Sequence, residues 1–98
     1  MIARSTSVQT LDELREYVNE TLCRFDQLLP GAFRMSHRML MRAGKPCGVY
    51  FCLHGPRAVK YTAIWETKQH TILFYGPTGE RFQKVQLEQA PSLESAAN

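Results

Sequence analysis

The chain reads as an α+β domain in which one N-terminal amphipathic helix packs on an antiparallel meander of four to five strands. Three observations predict this. An apolar stripe of helical period occupies residues 10–29, and from residue 48 the period changes to two. Short turns rich in glycine and proline then separate the alternating segments, and connections this short cannot cross over to a parallel neighbour.

The helix is expected over 10–29. Leu11, Leu14, Val18, Leu22, Phe25 and Leu29 recur at spacings of three and four and make one apolar face. Thr10 and Glu13 have the spacing of a capping box, and Asp12 and Glu13 place negative charge at the positive end of the helix dipole. Glu16, Glu20 and Gln27 fall on the solvent side. Pro30-Gly31 is the expected stop, because proline disfavours a helical residue before it and glycine accepts a left-handed turn.

The segment 33–42 admits two readings. With period two, Phe33, Met35, His37, Met39 and Met41 oppose Arg34, Ser36, Arg38, Leu40 and Arg42. With period 3.6, the three arginines are i, i+4 neighbours, and methionine, leucine and arginine are good helix formers. The strand is preferred, because the alternation runs into Ala43-Gly44-Lys45-Pro46 as a turn. Both readings align the arginines.

Four further strands follow. In 48–54, Val49, Phe51 and Leu53 share one face, opposite Gly48, Tyr50, Cys52 and His54. Gly55-Pro56-Arg57 turns the chain into 58–66, where Val59, Tyr61, Ala63 and Trp65 oppose Lys60, Thr62 and Ile64. The strand 70–75 is apolar on both faces, so its pattern gives no orientation. Gly76-Pro77-Thr78-Gly79 suits a type I turn closing on a glycine, and 81–87 is the last strand. Residues 1–9 are expected to form a flexible arm, 10–87 the single domain, and 88–98 a disordered acidic tail.

Length and composition exclude several classes. A chain of 98 residues supports one core, and no apolar run approaches the ~20 residues that span a bilayer. The first residues hold no apolar segment of a secretory signal. Three cysteines are too few and odd in number for a disulfide framework, which points to a reducing, cytoplasmic setting.

Charge is distributed unevenly. Residues 1–30 carry a net −2, residues 31–87 a net +7 and residues 88–98 a net −2. If the helix covers one side of the sheet, the other shows Arg34, Arg38, Arg42, Tyr50, His54 and Lys60, with Arg81 or Lys84 at an edge. Arginine beside an exposed aromatic is one way that domains hold phosphate and stack a base. The plainer reading is a solvated face balanced by the acidic helix. The same face carries Leu40, Tyr50, Cys52 and Ile64, too apolar to stand wholly in water. Either the sheet curls into a half-barrel or a second copy, a partner or a ligand covers it, a homodimer being the commonest solution.

Other constellations are weaker. Cys47 points opposite to Cys52 and His54 in a regular strand, so three zinc ligands do not converge, and no metal or cofactor is expected. Cys52 and His54 share a face, which is the basis for a thiol-enzyme alternative, but no oxyanion hole accompanies them. Gly76-Pro77-Thr78-Gly79-Glu80-Arg81 lacks the ending of a phosphate loop and precedes a strand rather than a helix. Asn19-Glu20-Thr21 is a glycosylation triplet inside a helix, a chance match. The expected function is therefore a small non-enzymatic binding or interaction domain working through its basic sheet face, by self-association or with a protein partner. A nucleic-acid module with arginine and lysine phosphate contacts is the alternative.

Overall fold

A computed structural model of the chain describes residues 2–89, of which 2–6 are described through their backbone. The order is β1 (Ile2–Ser7), α1 (Leu11–Phe25), β2 (Met35–Arg42), β3 (Lys45–His54), β4 (Lys60–Glu66), β5 (Thr71–Tyr75) and β6 (Arg81–Gln89). Strands β2 to β6 form an antiparallel meander and α1 packs on one of its faces, the α+β arrangement that the pattern predicts. The segment 33–42 resolves as the strand rather than the helix, paired with β3 from Met35 to Arg42. No helix among the described residues is long and apolar enough to cross a membrane.

The flexible arm expected over 1–9 is corrected by β1, which pairs parallel with β6 and extends the sheet to the order β1-β6-β5-β4-β3-β2. Its hydrogen bonds come from the free edge of β6, so β1 needs no strong alternation of its own. Val8, 2% exposed, pins the end of the strand in the core, and its N–H donates to the Gln89 carbonyl at 3.0 Å. The strand β6 also takes in Glu88 and Gln89, the start of the expected tail. The rest of that tail, 90–98, lies outside the described residues.

The position of β1 dictates what α1 must do. The chain leaves one edge of the sheet at β1 and returns at the opposite edge as β2. Five inter-strand gaps span roughly 24 Å, and the 15-residue helix is about 22 Å long. It therefore crosses the sheet and covers its middle, with Leu14, Val18 and Leu22 fully buried against Phe51, Trp65 and Phe74.

Both ends of the helix are held by side-chain and backbone caps. The Glu13 N–H donates to Thr10 Oγ1 at 3.1 Å, and Glu13 Oε1 accepts from the Gln9 N–H at 2.8 Å, one residue ahead of the usual capping-box partner. At the other end the helix stops at Phe25, four residues before Leu29. Gln27 adopts a left-handed φ of 58°, the Leu28 N–H reaches the Cys23 carbonyl at 2.8 Å, and the Gln27 N–H points to that of Arg24. This is a Schellman closure, and it uses glutamine where glycine is common. Leu29 is consequently 72% exposed instead of continuing the apolar stripe.

Three hydrogen bonds fasten α1 and its C-cap to the sheet. The Arg15 guanidinium donates to His37 Nδ1 and to the Met35 carbonyl, the latter at 3.0 Å, which ties the helix to the edge strand β2. Burial, and then the nearby Arg15 charge, hold His37 below the usual imidazole pKa. At the helix C-terminus the buried Tyr61 hydroxyl donates to Asp26 Oδ2 at 2.6 Å.

Burial and then the bond to Asp26 push the Tyr61 pKa up to about 12. Tyr61→Phe is expected to cost about 1.5 kcal/mol, the low end for a hydrogen bond to a charged group, because Asp26 is exposed. The folded pKa lies above the ordinary value of 10. The Tyr61 contribution is therefore complete below about pH 10 and lost as the pH rises towards 12. Urea unfolding of parent and variant at neutral and alkaline pH checks both the loss and its sign.

The turns set the register. Residues Pro56 to Val59 form a tight turn closed by the Val59 N–H on the Pro56 carbonyl at 3.1 Å. Its central pair, Arg57 and Ala58, has φ of 57° and 62°, the left-handed pair of a type I′ hairpin turn. Neither is the glycine or asparagine that such a turn favours, and each left-handed residue costs roughly 1–2 kcal/mol. Between β5 and β6, the Gly79 N–H donates to the Gly76 carbonyl at 3.0 Å, and Gly79 has φ of +89°, as the expected turn requires.

Candidate functional site

Alternation along β3 sends Val49, Phe51 and Leu53 to the helix-covered core and Tyr50, Cys52 and His54 to the other side. Register then builds that open face row by row. One row is Arg38, Tyr50, Ile64, Leu73 and Lys84 across β2 to β6. The next row runs Ser36, Cys52, Thr62 and Tyr75. At the end of the sheet beyond it, His54 faces Lys60 across β3 and β4. Among the described residues no element lies over these rows, although Tyr50, Ile64, Leu73 and Tyr75 are half-buried by their neighbours.

The six residues singled out by sequence fall into three places on this face. Arg34, His54 and Lys60 meet at one end. Arg34 immediately precedes β2, and its carbonyl accepts the His54 N–H at 2.8 Å. Lys60 opens β4 opposite His54. Arg38 and Tyr50 occupy the middle, with the guanidinium carbon 5.8 Å from the ring centroid, within cation–π range. Arg42 lies at the other end, past a register shift after Leu40, and is not brought to the first cluster. With Leu40, Pro46, Cys47, Ile64 and Lys68 it borders a recess of about 440 Å³ beside Gly48.

The electrostatics of the His54 end are one-sided. His54 Nε2 is 3.1 Å from Ser36 Oγ. Partial burial, then the Arg34 charge, then the Lys60 charge hold His54 below the usual imidazole pKa, so the neutral ring is favoured. By alternation the carboxylates of this face, Glu66 and Glu88, belong to the opposite end. The acids Asp12, Glu13, Glu16, Glu20 and Asp26 are exposed on α1, on the far side of the sheet.

Sequence reasoning left β5 without an orientation, and so missed Leu73 and Tyr75 as members of this face. Their place comes from pairing with β4, Thr62 with Tyr75 and Ile64 with Leu73, because a register shift between Phe74 and Tyr75 breaks any count from the turn Gly76-Pro77-Thr78-Gly79. The thiol alternative finds His54 Nε2 beside the Ser36 hydroxyl. Among the described residues no three of His, Cys, Asp and Glu are placed to hold a metal ion.

The chain matches no protein-family model, no curated protein and no solved structure, so the reading of its function rests on this geometry.

Proposed function

We propose that this protein is a non-enzymatic binding domain that holds an anionic partner against the open face of its sheet. One observation carries the reading: an aromatic and apolar strip bordered by Arg34, Lys60, Arg38 and Lys84 faces away from α1, while five carboxylates stand on the helix side. A face of this kind attracts an anion over its cationic rim and holds it by contact with the strip.

Self-association through the same face is the second reading, favoured by the half-buried Tyr50, Ile64, Leu73 and Tyr75. A two-fold pairing brings the same patch of each copy together. That sets the middle-row cations Arg38 and Lys84 against like charges, so the anionic partner is preferred.

Heparin serves as the polyanion probe. Arg38→Glu is expected to weaken binding at low salt by about tenfold, and Arg24→Glu, an equal charge change on the helix, to leave it nearly unaltered. Equal losses in the two variants would reduce the effect to net charge and remove the proposed face. Sedimentation of the parent separates the readings, because a dimer broken by Leu73→Glu, a charge placed in the apolar strip, supports self-association instead.

A further inference from the structure

We propose that Arg34, Ser36, His54 and Lys60 form a phosphate subsite at one end of the open face, and that the phosphate belongs to a single-stranded nucleic acid whose bases lie along Tyr50 and Tyr75. This deepens the anionic-partner reading and rests on it.

The fold brings these four side chains together from three strands. The Arg34 backbone is bonded to that of His54, Lys60 is the cross-strand partner of His54, and Ser36 Oγ reaches the imidazole at 3.1 Å. Together they offer a forked guanidinium, an ammonium, a hydroxyl and a ring N–H. That set suits a phosphoryl group, with Arg34 able to meet two oxygens at once. Both permanent cations are exposed and the hydroxyl and ring are half-buried, so an anion approaching from solvent reaches all four.

The charge pattern points the same way. The groups facing His54 are Arg34 from the approach to β2, Lys60 from β4, and Cys52 two positions back on its own strand. The face's carboxylates, Glu66 and Glu88, lie towards the Arg42 end. Two cations thus stand beside a ring whose partial burial, reinforced by their charge, favours the neutral form. A phosphate between them would reverse that field and let the ring take up a proton.

A third observation concerns the adjoining turn. Arg57 and Ala58 hold consecutive left-handed conformations there, in a hairpin that closes the same end of the sheet. Backbone strain of this kind persists where surrounding structure imposes it, and it concentrates at ligand-holding sites.

The nucleic-acid strand follows from what lies next to the subsite. Tyr75 is in the row adjoining His54 and Tyr50 in the row after it, so two aromatic rings continue from the cationic end along one face. Base stacking on such rings accepts any sequence, and cations beside them track the backbone. Arg38, already over Tyr50, adds a second planar surface in the same place.

The test follows the His54 ring by NMR as pH is varied, first alone, then with inorganic phosphate, a 5′-phosphorylated oligouridylate and a phosphoserine peptide. Alone, His54 is expected to titrate below 6.5. With the oligouridylate its pKa should rise by about one unit, equivalent to roughly tenfold tighter binding at acid pH. Inorganic phosphate should produce a smaller rise. In Arg34→Gln/Lys60→Gln the free ring should titrate higher than in the parent, while its burial still holds it below the ordinary value, and the oligouridylate-induced rise should vanish. Shifts at Tyr50 with His54 unmoved would overturn the subsite while leaving the binding face intact. A response to the phosphoserine peptide without one to the oligouridylate would overturn the nucleic-acid assignment. Loss of heparin binding as well would remove the anionic-partner reading beneath both.

Discussion

Trp65→Ala is expected to remove about 4 kcal/mol of stability, the range for truncating a fully buried tryptophan. Trp65 is the largest side chain with no exposed surface, and it joins Val49 on β3 to Ile72 on β5 at the centre of the sheet. A domain of this size has roughly 5–15 kcal/mol in total, so the variant should melt about 15–30 °C below the parent. Trp65→Phe should cost less than half as much. It keeps a ring in the site, and it removes an indole N–H that is buried without a hydrogen-bond partner among the described residues. Urea unfolding followed by circular dichroism compares the three proteins without relying on tryptophan fluorescence. A midpoint for Trp65→Ala within experimental error of the parent would mean that the helix does not close over the sheet as described.

Gly48→Val is expected to cost about 3 kcal/mol through overpacking, by a mechanism opposite to that of Trp65→Ala. A Cβ at position 48 would lie 2.3 Å from the Trp65 carbonyl oxygen and 3.5 Å from Leu40 Cδ1. The first contact is with backbone, so no side-chain rotation relieves it and β3 must move away from β4. Gly48 faces Leu40 across β2 and β3, where the register shifts before Met41. Glycine within a strand marks this kind of bend or close approach. Gly48→Ala should show most of the loss, since the clash begins at Cβ. Denaturant midpoints of the two variants, with Gly44→Ala as a left-handed turn control, separate crowding from backbone strain, because Gly44 has φ of +79° and open space around it.

Much of the fold was legible because it is encoded over short distances. The stripe from Leu11 to Phe25 predicts which helix face is buried, and Thr10 with Glu13 predicts where the helix starts. Alternation in β3 and β4 assigns Phe51, Leu53, Ala63 and Trp65 to the core, where all are buried. The early end of α1 was not legible, because glutamine at position 27 competes poorly for a left-handed conformation and only the bonds from Gln27 and Leu28 reveal it. For the site, the alignment of Arg34, Arg38 and Arg42 on one side of a strand was readable, and the separation of Arg42 by the register shift was not.

From the amino-acid order alone came one amphipathic helix, a series of strands with their turns, and a basic middle flanked by acidic ends. These are properties of period and composition, which neighbouring residues determine. Tertiary structure decided that residues 2–7 form a parallel strand on β6, that Leu73 and Tyr75 join the open face, and that Arg34, His54 and Lys60 converge at its end. Each depends on which strand edge pairs with which and in what register. That choice is made by hydrogen bonds between residues distant in sequence, to which a local pattern is blind.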